Sequence, residues 1–159
     1  MAWTVTEIPA GCADAVAIIR EYLGEVASRY YRRQATPAEV DAALAEEPAA
    51  DLVPPQGAFL LATDGAEAVG CAGVRVVCPG LTELTKVYVR PAHRGHGSGR
   101  RLVAAAEAAA RRLGSVRMRL DTRHDLVEAR ALYAATGYAE VEPFNDDQYA
   151  EHWFAKQLG

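Results

Sequence analysis

The run Arg94-Gly95-His96-Gly97-Ser98-Gly99-Arg100 directly follows the β-branched stretch Lys86-Val87-Tyr88-Val89-Arg90. This pattern reads as a strand passing through a glycine-rich turn into a helix, which is the architecture of an anion-binding loop. With no Cβ atoms at alternate positions, successive N–H groups can converge on a phosphate, and the start of the helix adds its positive dipole end. Arg94 and Arg100 bracket those donors with guanidinium charge. The spacing excludes two common nucleotide loops: the dinucleotide fingerprint needs G-x-G-x-x-G, the P-loop needs G-x-x-x-x-G-K-S/T, and this loop is G-x-G-x-G with no Lys after the last glycine.

The segment resembles the acetyl-CoA loop of the GCN5-related N-acetyltransferase (GNAT) superfamily. That loop has Gln or Arg, then Gly after two further residues, then Gly or Ala after one more; here these are Arg94, Gly97 and Gly99. The preceding LTELTKVYVRPAHRG resembles the family's fourth strand. LDTRHDLVEARALYAATGY resembles its fifth strand and the helix bearing A-x-x-L-Y-x-x-x-G, and the matching pieces run in family order from about Glu83 to Tyr138.

The resemblance implies one domain over residues 1–159, of α/β (α+β) class. Its sheet would be mixed and mainly antiparallel, with six to seven strands flanked by about four helices, splayed between the fourth and fifth strands where acetyl-CoA enters as acetyl donor. It implies an N-acetyltransferase acting on a small-molecule or peptide amine by direct attack in a ternary complex. The competing reading is a non-catalytic acyl-CoA-binding sensor or partner-binding module. Relatives often dimerise, so a homodimer is compatible with the resemblance.

Acetyl transfer needs a free amine and a protonated leaving thiol, whose ordinary pKa values are about 10.4 and about 8.5. By resemblance, Tyr133 is the candidate acid; a phenol, which ordinarily titrates near pH ~10, stays protonated at neutral pH. Its position also suits a core aromatic. Glu83 is the candidate base, alone or through water, with an ordinary strand carboxylate as the other reading. Backbone N–H groups at Val87 and Val89, flanking Tyr88, are expected to meet the pantetheine arm and the developing oxyanion, provided that a bulge frees them. Gly95, Gly97, Ser98, Gly99, Arg94 and Arg100 are expected around the phosphates, with His96 either beside them or solvated. Leu126 stands where many members carry a cofactor-holding Asn, and Thr122 offers a hydroxyl nearby.

Length and composition fit one core: 159 residues, half of them apolar. Residues 1–80 carry 5 Arg against 11 acids, whereas residues 81–123 carry 10 basic residues against 3 acids, so positive charge gathers around the glycine loop and the acidic half suits a cationic amine. Arg111, Arg112, Arg117 and Arg119 read equally as solvated faces. A net charge of −4 without a basic, aromatic-interleaved stripe argues against nucleic acid. No signal-peptide pattern and no stretch of about 20 apolar residues is present, so a cytoplasmic protein with no membrane partner is expected. Cys12, Cys71 and Cys78 have no C-x-x-C spacing and read as small thiols. His93, His96, His124 and His152 lack ligand spacing, so no metal is expected.

These residues need positioning elements. Trp3 to Ile8 alternates as a strand, and Ala13 to about Arg29 places Val16, Ile19, Leu23 and Val26 on one helical stripe. Thr36-Pro37-Ala38-Glu39 predicts a capping box opening a second helix. AFLLAT and EAVGCAGVRVV predict a hairpin about Asp64-Gly65, followed by a strand from Leu81 to Arg90. Leu102, Val103, Ala106, Ala110 and Leu113 form a helical stripe closed by Gly114, and SVRMRLDT alternates as a strand. Asp125 with Glu128 is expected to cap the next helix, ended by Gly137, before strands at Tyr138 to Glu142 and about Glu151 to Gln157. By resemblance the acceptor site lies in Tyr22 to Leu44 and Pro143 to Trp153, where Tyr30, Tyr31, Phe144 and Tyr149 suit a pocket wall. Asp146 or Asp147 suits a cationic amine, and Arg32 and Arg33 suit an acceptor bearing carboxylate or phosphate.

Overall fold

Four strands pair in succession: β1 (Trp3–Glu7), β2 (Gly57–Asp64), β3 (Glu67–Cys78) and β4 (Leu81–Val89), each antiparallel to the next. The computed structural model describes residues 3–159. The β2–β3 turn is Gly65-Ala66, one residue later than the expected Asp64-Gly65, with glycine at position 65 adopting a positive φ of 62° at little steric cost. β5 (Arg117–Thr122) lies parallel to β4, and β7 (His152–Gln157) pairs antiparallel with both β5 and β6 (Ala139–Glu140). The sheet is thus seven-stranded in the order β1-β2-β3-β4-β5-β7-β6, mixed and mainly antiparallel, as expected.

Strand alternation feeds two cores. Ala58, Leu60 and Ala62 of β2 join the cluster under α3 (Ser98–Arg112) and Tyr133 of α4 (Val127–Ala135), while Phe59 and Leu61 face α1 (Ala13–Tyr31) and Val40 of α2 (Pro37–Glu46). Both sheet faces are therefore covered, which explains why β2 reads as a continuous apolar run. The stripe Leu102, Val103, Ala106 and Ala110 is buried as expected. The capping box of α2 forms: Thr36 Oγ1 accepts from Glu39 N–H at 3.2 Å and Glu39 Oε1 accepts from Thr36 N–H at 2.8 Å.

Three local expectations change. α1 buries Ala15, Ile18, Ile19 and Leu23, leaving Val16 42% exposed, since Ala15 occupies the stripe position one residue earlier. α4 begins at Leu126 with no side-chain cap; Asp125 instead binds the Arg123 guanidinium through both oxygens, a charge-assisted pair that outcompetes neutral N–H donors. β6 is confined to two residues.

One face of α1 clamps the region of interest. Glu21, Glu25 and Arg29, spaced four residues apart, hold Arg90 at the end of β4, Arg94 of the glycine loop and Glu128 of α4.

Candidate active site

β4 and β5 stay paired over only three positions, Leu81 to Arg117, Thr82 to Met118 and Glu83 to Arg119, and then part. A bulge in β4 coincides with the parting: the β3 register slips between Cys71 and Gly73, and Lys86 adopts φ 55°. The extra residue turns the Lys86 side chain away from the α3 core, and its ammonium donates to the Glu47 carbonyl at 3.1 Å. Beyond the bulge, the Arg90 N–H pairs with Val69 of β3. Alternation therefore aims the Val87 and Val89 N–H groups the other way, toward the gap left by β5.

The strand leads into the glycine loop. Gly95 and Gly97 take φ 85° and 76°, whereas Gly99 lies inside α3, where a Cβ would meet Leu132 Cδ2 at 2.9 Å. The first two glycines thus serve the turn and the third serves close packing of α3 on α4. The first intrahelical bond is Arg101 N–H to Gly97 O, so the N–H groups of residues 95–100 have no acceptor among the described residues. Arg94, expected beside a phosphate, binds both Glu25 oxygens at 2.8 Å and the Val89 carbonyl at 2.7 Å, which anchors the loop to α1 and β4. Buried Ser98 donates to the His93 carbonyl, while His96 and Arg100 are exposed.

A cavity of about 550 Å³ occupies the gap between the strands, lined among others by Glu83, Lys86, Val87, Asp121, Leu126 and Tyr133. The Tyr133 ring is buried against Tyr138 and Phe154 and its hydroxyl has no protein partner. Burial, with the Asp121 charge, pushes its phenol well above the ordinary value. Thr122 is buried beside it. Glu83 lies in the same cavity, its Oε2 held by Arg119 Nε at 2.8 Å.

The family model "Acetyltransferase (GNAT) family" matches residues 20–138. The chain belongs to the GNAT acetyltransferase family. It is 33% identical over 143 residues to an uncharacterised N-acetyltransferase of Schizosaccharomyces pombe, covering 89% of this chain and 84% of that protein. Identity is 36% over 140 residues to an aminoglycoside N(6')-acetyltransferase of Stenotrophomonas maltophilia, covering 74% and 91% of the two chains. A GNAT acetyltransferase of Elizabethkingia anophelis, solved with acetyl-CoA bound, shares the fold with TM-score 0.66 at 15% identity, covering 98% of each chain.

The candidate site also gathers carboxylates to which the sequence pointed no role, Asp121, Glu46 and Glu47. Asp121 is the foremost. It stands two residues beyond Arg119 on the same face of β5 and accepts from Asn145 Nδ2 at 2.9 Å. Partial desolvation raises its carboxyl above the ordinary range, offset by that hydrogen bond and reinforced by Asp147, Glu83 and Glu47. The alternation of RMRLDT, which sets Arg119 and Asp121 on one face, was the available signal. A second recess of about 150 Å³ brings Tyr22, Tyr30, Tyr31 and Tyr149 together beside it, joining the two segments expected to form the acceptor site.

Cys71 is buried, its thiol donating to the Lys86 carbonyl and pushed far up by burial, so it offers no nucleophile. His124 and His152 stack with Nδ1 and Nε2 2.9 Å apart, and His152 Nδ1 contacts Glu140, yet no group of three or more metal-ligating side chains converges among the described residues. No described helix is long and apolar enough to cross a membrane.

Proposed function

We propose that this chain transfers the acetyl group of acetyl-CoA to a primary amine by direct attack in a ternary complex. One continuous arrangement supports this best: six unpartnered N–H groups at 95–100, two more at Val87 and Val89 facing the strand gap, and a cavity in that gap holding the free Tyr133 hydroxyl and Asp121. These donors fit a pyrophosphate and an amide-bearing arm.

Bound acetyl-CoA supplies an acyl carbon activated as a thioester. The loop N–H groups and Arg100 hold its phosphates. The bulge N–H groups donate to the carbonyl oxygen, where charge develops during attack. Asp121, whose carboxyl is raised, takes the proton of the incoming ammonium, while the Glu83 oxygen not held by Arg119 orients the amine. As the nitrogen–carbon bond forms and the carbon–sulfur bond breaks, the nitrogen gives up its second proton to water, which restores the proton that Tyr133 passes to the sulfur. Tyr133 donates to the departing sulfur, which leaves as the thiol. Its elevated phenol keeps the donor protonated until the sulfur departs.

Calorimetric titration with acetyl-CoA, paired with thiol release across an amine panel, tests the reading. Micromolar binding, lost in Gly97→Val with the circular dichroism spectrum preserved, together with amine-dependent thiol release, is expected. Binding without release favours an acyl-CoA sensor, and no binding overturns both.

A further inference from the structure

Resting on the acetyltransferase reading, we propose that the acceptor is a dication, a diamine or polyamine-type molecule whose second ammonium is held by Glu46 and Asp147 while the first is presented to Asp121. The two cavities share Tyr22, Glu46, Glu47, Asp121, Thr122, Leu126 and Asp147 in their walls and so meet at an acidic junction.

Most charges around the combined space are already neutralised. Glu39 is paired with Arg33, Asp51 with Arg75, Glu83 with Arg119, and Arg123 with Asp125. Lys86 is buried and turned toward Glu47. Glu46, Asp121 and Asp147 have no basic partner among the described residues, leaving a local excess of negative charge inside a concave wall, where fields are focused. The Asp121, Tyr22 and Tyr149 groups are raised mainly by desolvation, with a neighbouring carboxylate as a lesser cause in each.

Two further observations point to a ligand. The Tyr133 hydroxyl, on a residue only 7% exposed, opens on the strand-gap cavity without a partner among the described residues. The recess beyond the acidic junction is walled by Tyr30 and Tyr149, packed edge to face at 5.4 Å; Arg123 already lies over the Tyr30 ring at 5.4 Å, so the rings suit the methylene chain and the charge is left to the carboxylates. The same geometry disfavours an acceptor bearing carboxylate or phosphate. Arg33 is committed to both Glu39 oxygens, and Arg32, exposed at the end of α1, does not line the recess.

The test compares 1,4-diaminobutane, butylamine and 4-aminobutanoate, which share a four-carbon chain and differ in the second group. The diamine is expected to exceed butylamine in kcat/KM by about tenfold or more, and the amino acid to fall below butylamine. In Glu46→Gln/Asp147→Asn the diamine-to-monoamine ratio is expected to drop toward parity. Titration of the CoA-loaded protein with the diamine reads binding apart from turnover, and the double variant should abolish its heat. Equal rates for the three acceptors, preference for the amino acid, or diamine binding unaffected by the double substitution overturns the proposal while leaving the acetyltransferase reading intact. Failure to bind acetyl-CoA strikes that reading instead, and diamine titration of the protein alone then decides whether the recess is a dication site.

Discussion

Glu83 and Arg119 face each other at the last rung where β4 and β5 pair, their side chains joined at 2.8 Å where the strands begin to part. Both are about three-quarters buried, and Arg119 also lies over the Phe144 ring at 4.2 Å. The pair closes the narrow end of the strand gap and ties the segment before β7 to the cavity floor.

Arg119→Met is accordingly expected to lower Tm by about 2–4 °C, the shift that roughly 1 kcal/mol produces in a chain of this size. Thermal melts of Glu83→Gln, Arg119→Met and the double variant check it. A coupling of about 0.5–1 kcal/mol between the two sites is expected, and additivity would mean that the pair contributes nothing.

Tyr133→Phe should lower kcat by roughly 100-fold, within the range for a lost proton donor, with the Kd for coenzyme A changed by less than about twofold. The ring packs against Tyr138 and Phe154 and the hydroxyl has no protein partner, so folding should be retained. Thiol release and calorimetry on one preparation separate the two effects. Undiminished turnover would remove Tyr133 from the chemistry.

How much of this was legible in the sequence depends on what each residue must satisfy. The glycine loop, the capping box and the α3 stripe were legible because each is set by neighbours within a few positions. The bulge at Lys86 was not, since β-branched residues flank it and nothing local announces a positive φ at a lysine; only the family resemblance raised it. Asp125 departs from expectation because its charge meets the Arg123 guanidinium, and that ion pair replaces the expected helix cap; Arg94 likewise meets an opposite charge, Glu25, on another element. The Asp121 perturbation comes from partial desolvation at the cavity wall and from Asp147, Glu83 and Glu47, brought together only by the fold.

Because the folded state raises the Asp121 carboxyl, kcat/KM should rise with pH as that group ionises, with an apparent pKa above the ordinary value of about 3.9. Asp121→Asn should remove this limb and reduce turnover at neutral pH. Stability runs the opposite way. A raised carboxyl binds its proton more tightly when folded, so its contribution is present below the unfolded value and is lost as pH rises through the folded one. At pH 7 the anion is a cost, and Asp121→Asn, which still accepts from Asn145, should keep or raise Tm. A lowered Tm at pH 7 would contradict this account.

Gly97 and Gly99 belong to one motif, yet the structure gives them different physical duties. Gly97 has open space around its Cβ direction but φ 76°, so Gly97→Ala strains the backbone by roughly 1–2 kcal/mol at the point where the free N–H groups converge. Its expected signature is weaker coenzyme A binding, by tenfold or more. Gly99 has ordinary helical backbone, so alanine there improves helix propensity, but its Cβ meets Leu132 Cδ2 at 2.9 Å and must push α4 or the leucine aside. Leu132 immediately precedes Tyr133, so Gly99→Ala should displace the hydroxyl and lower kcat more than it weakens coenzyme A binding. Gly99→Ala with Leu132→Ala, which clears the clash, separates the causes: recovery of kcat relative to Gly99→Ala is expected if packing is the duty of Gly99. Loss of binding equal to that of Gly97→Ala would assign Gly99 to the phosphates instead.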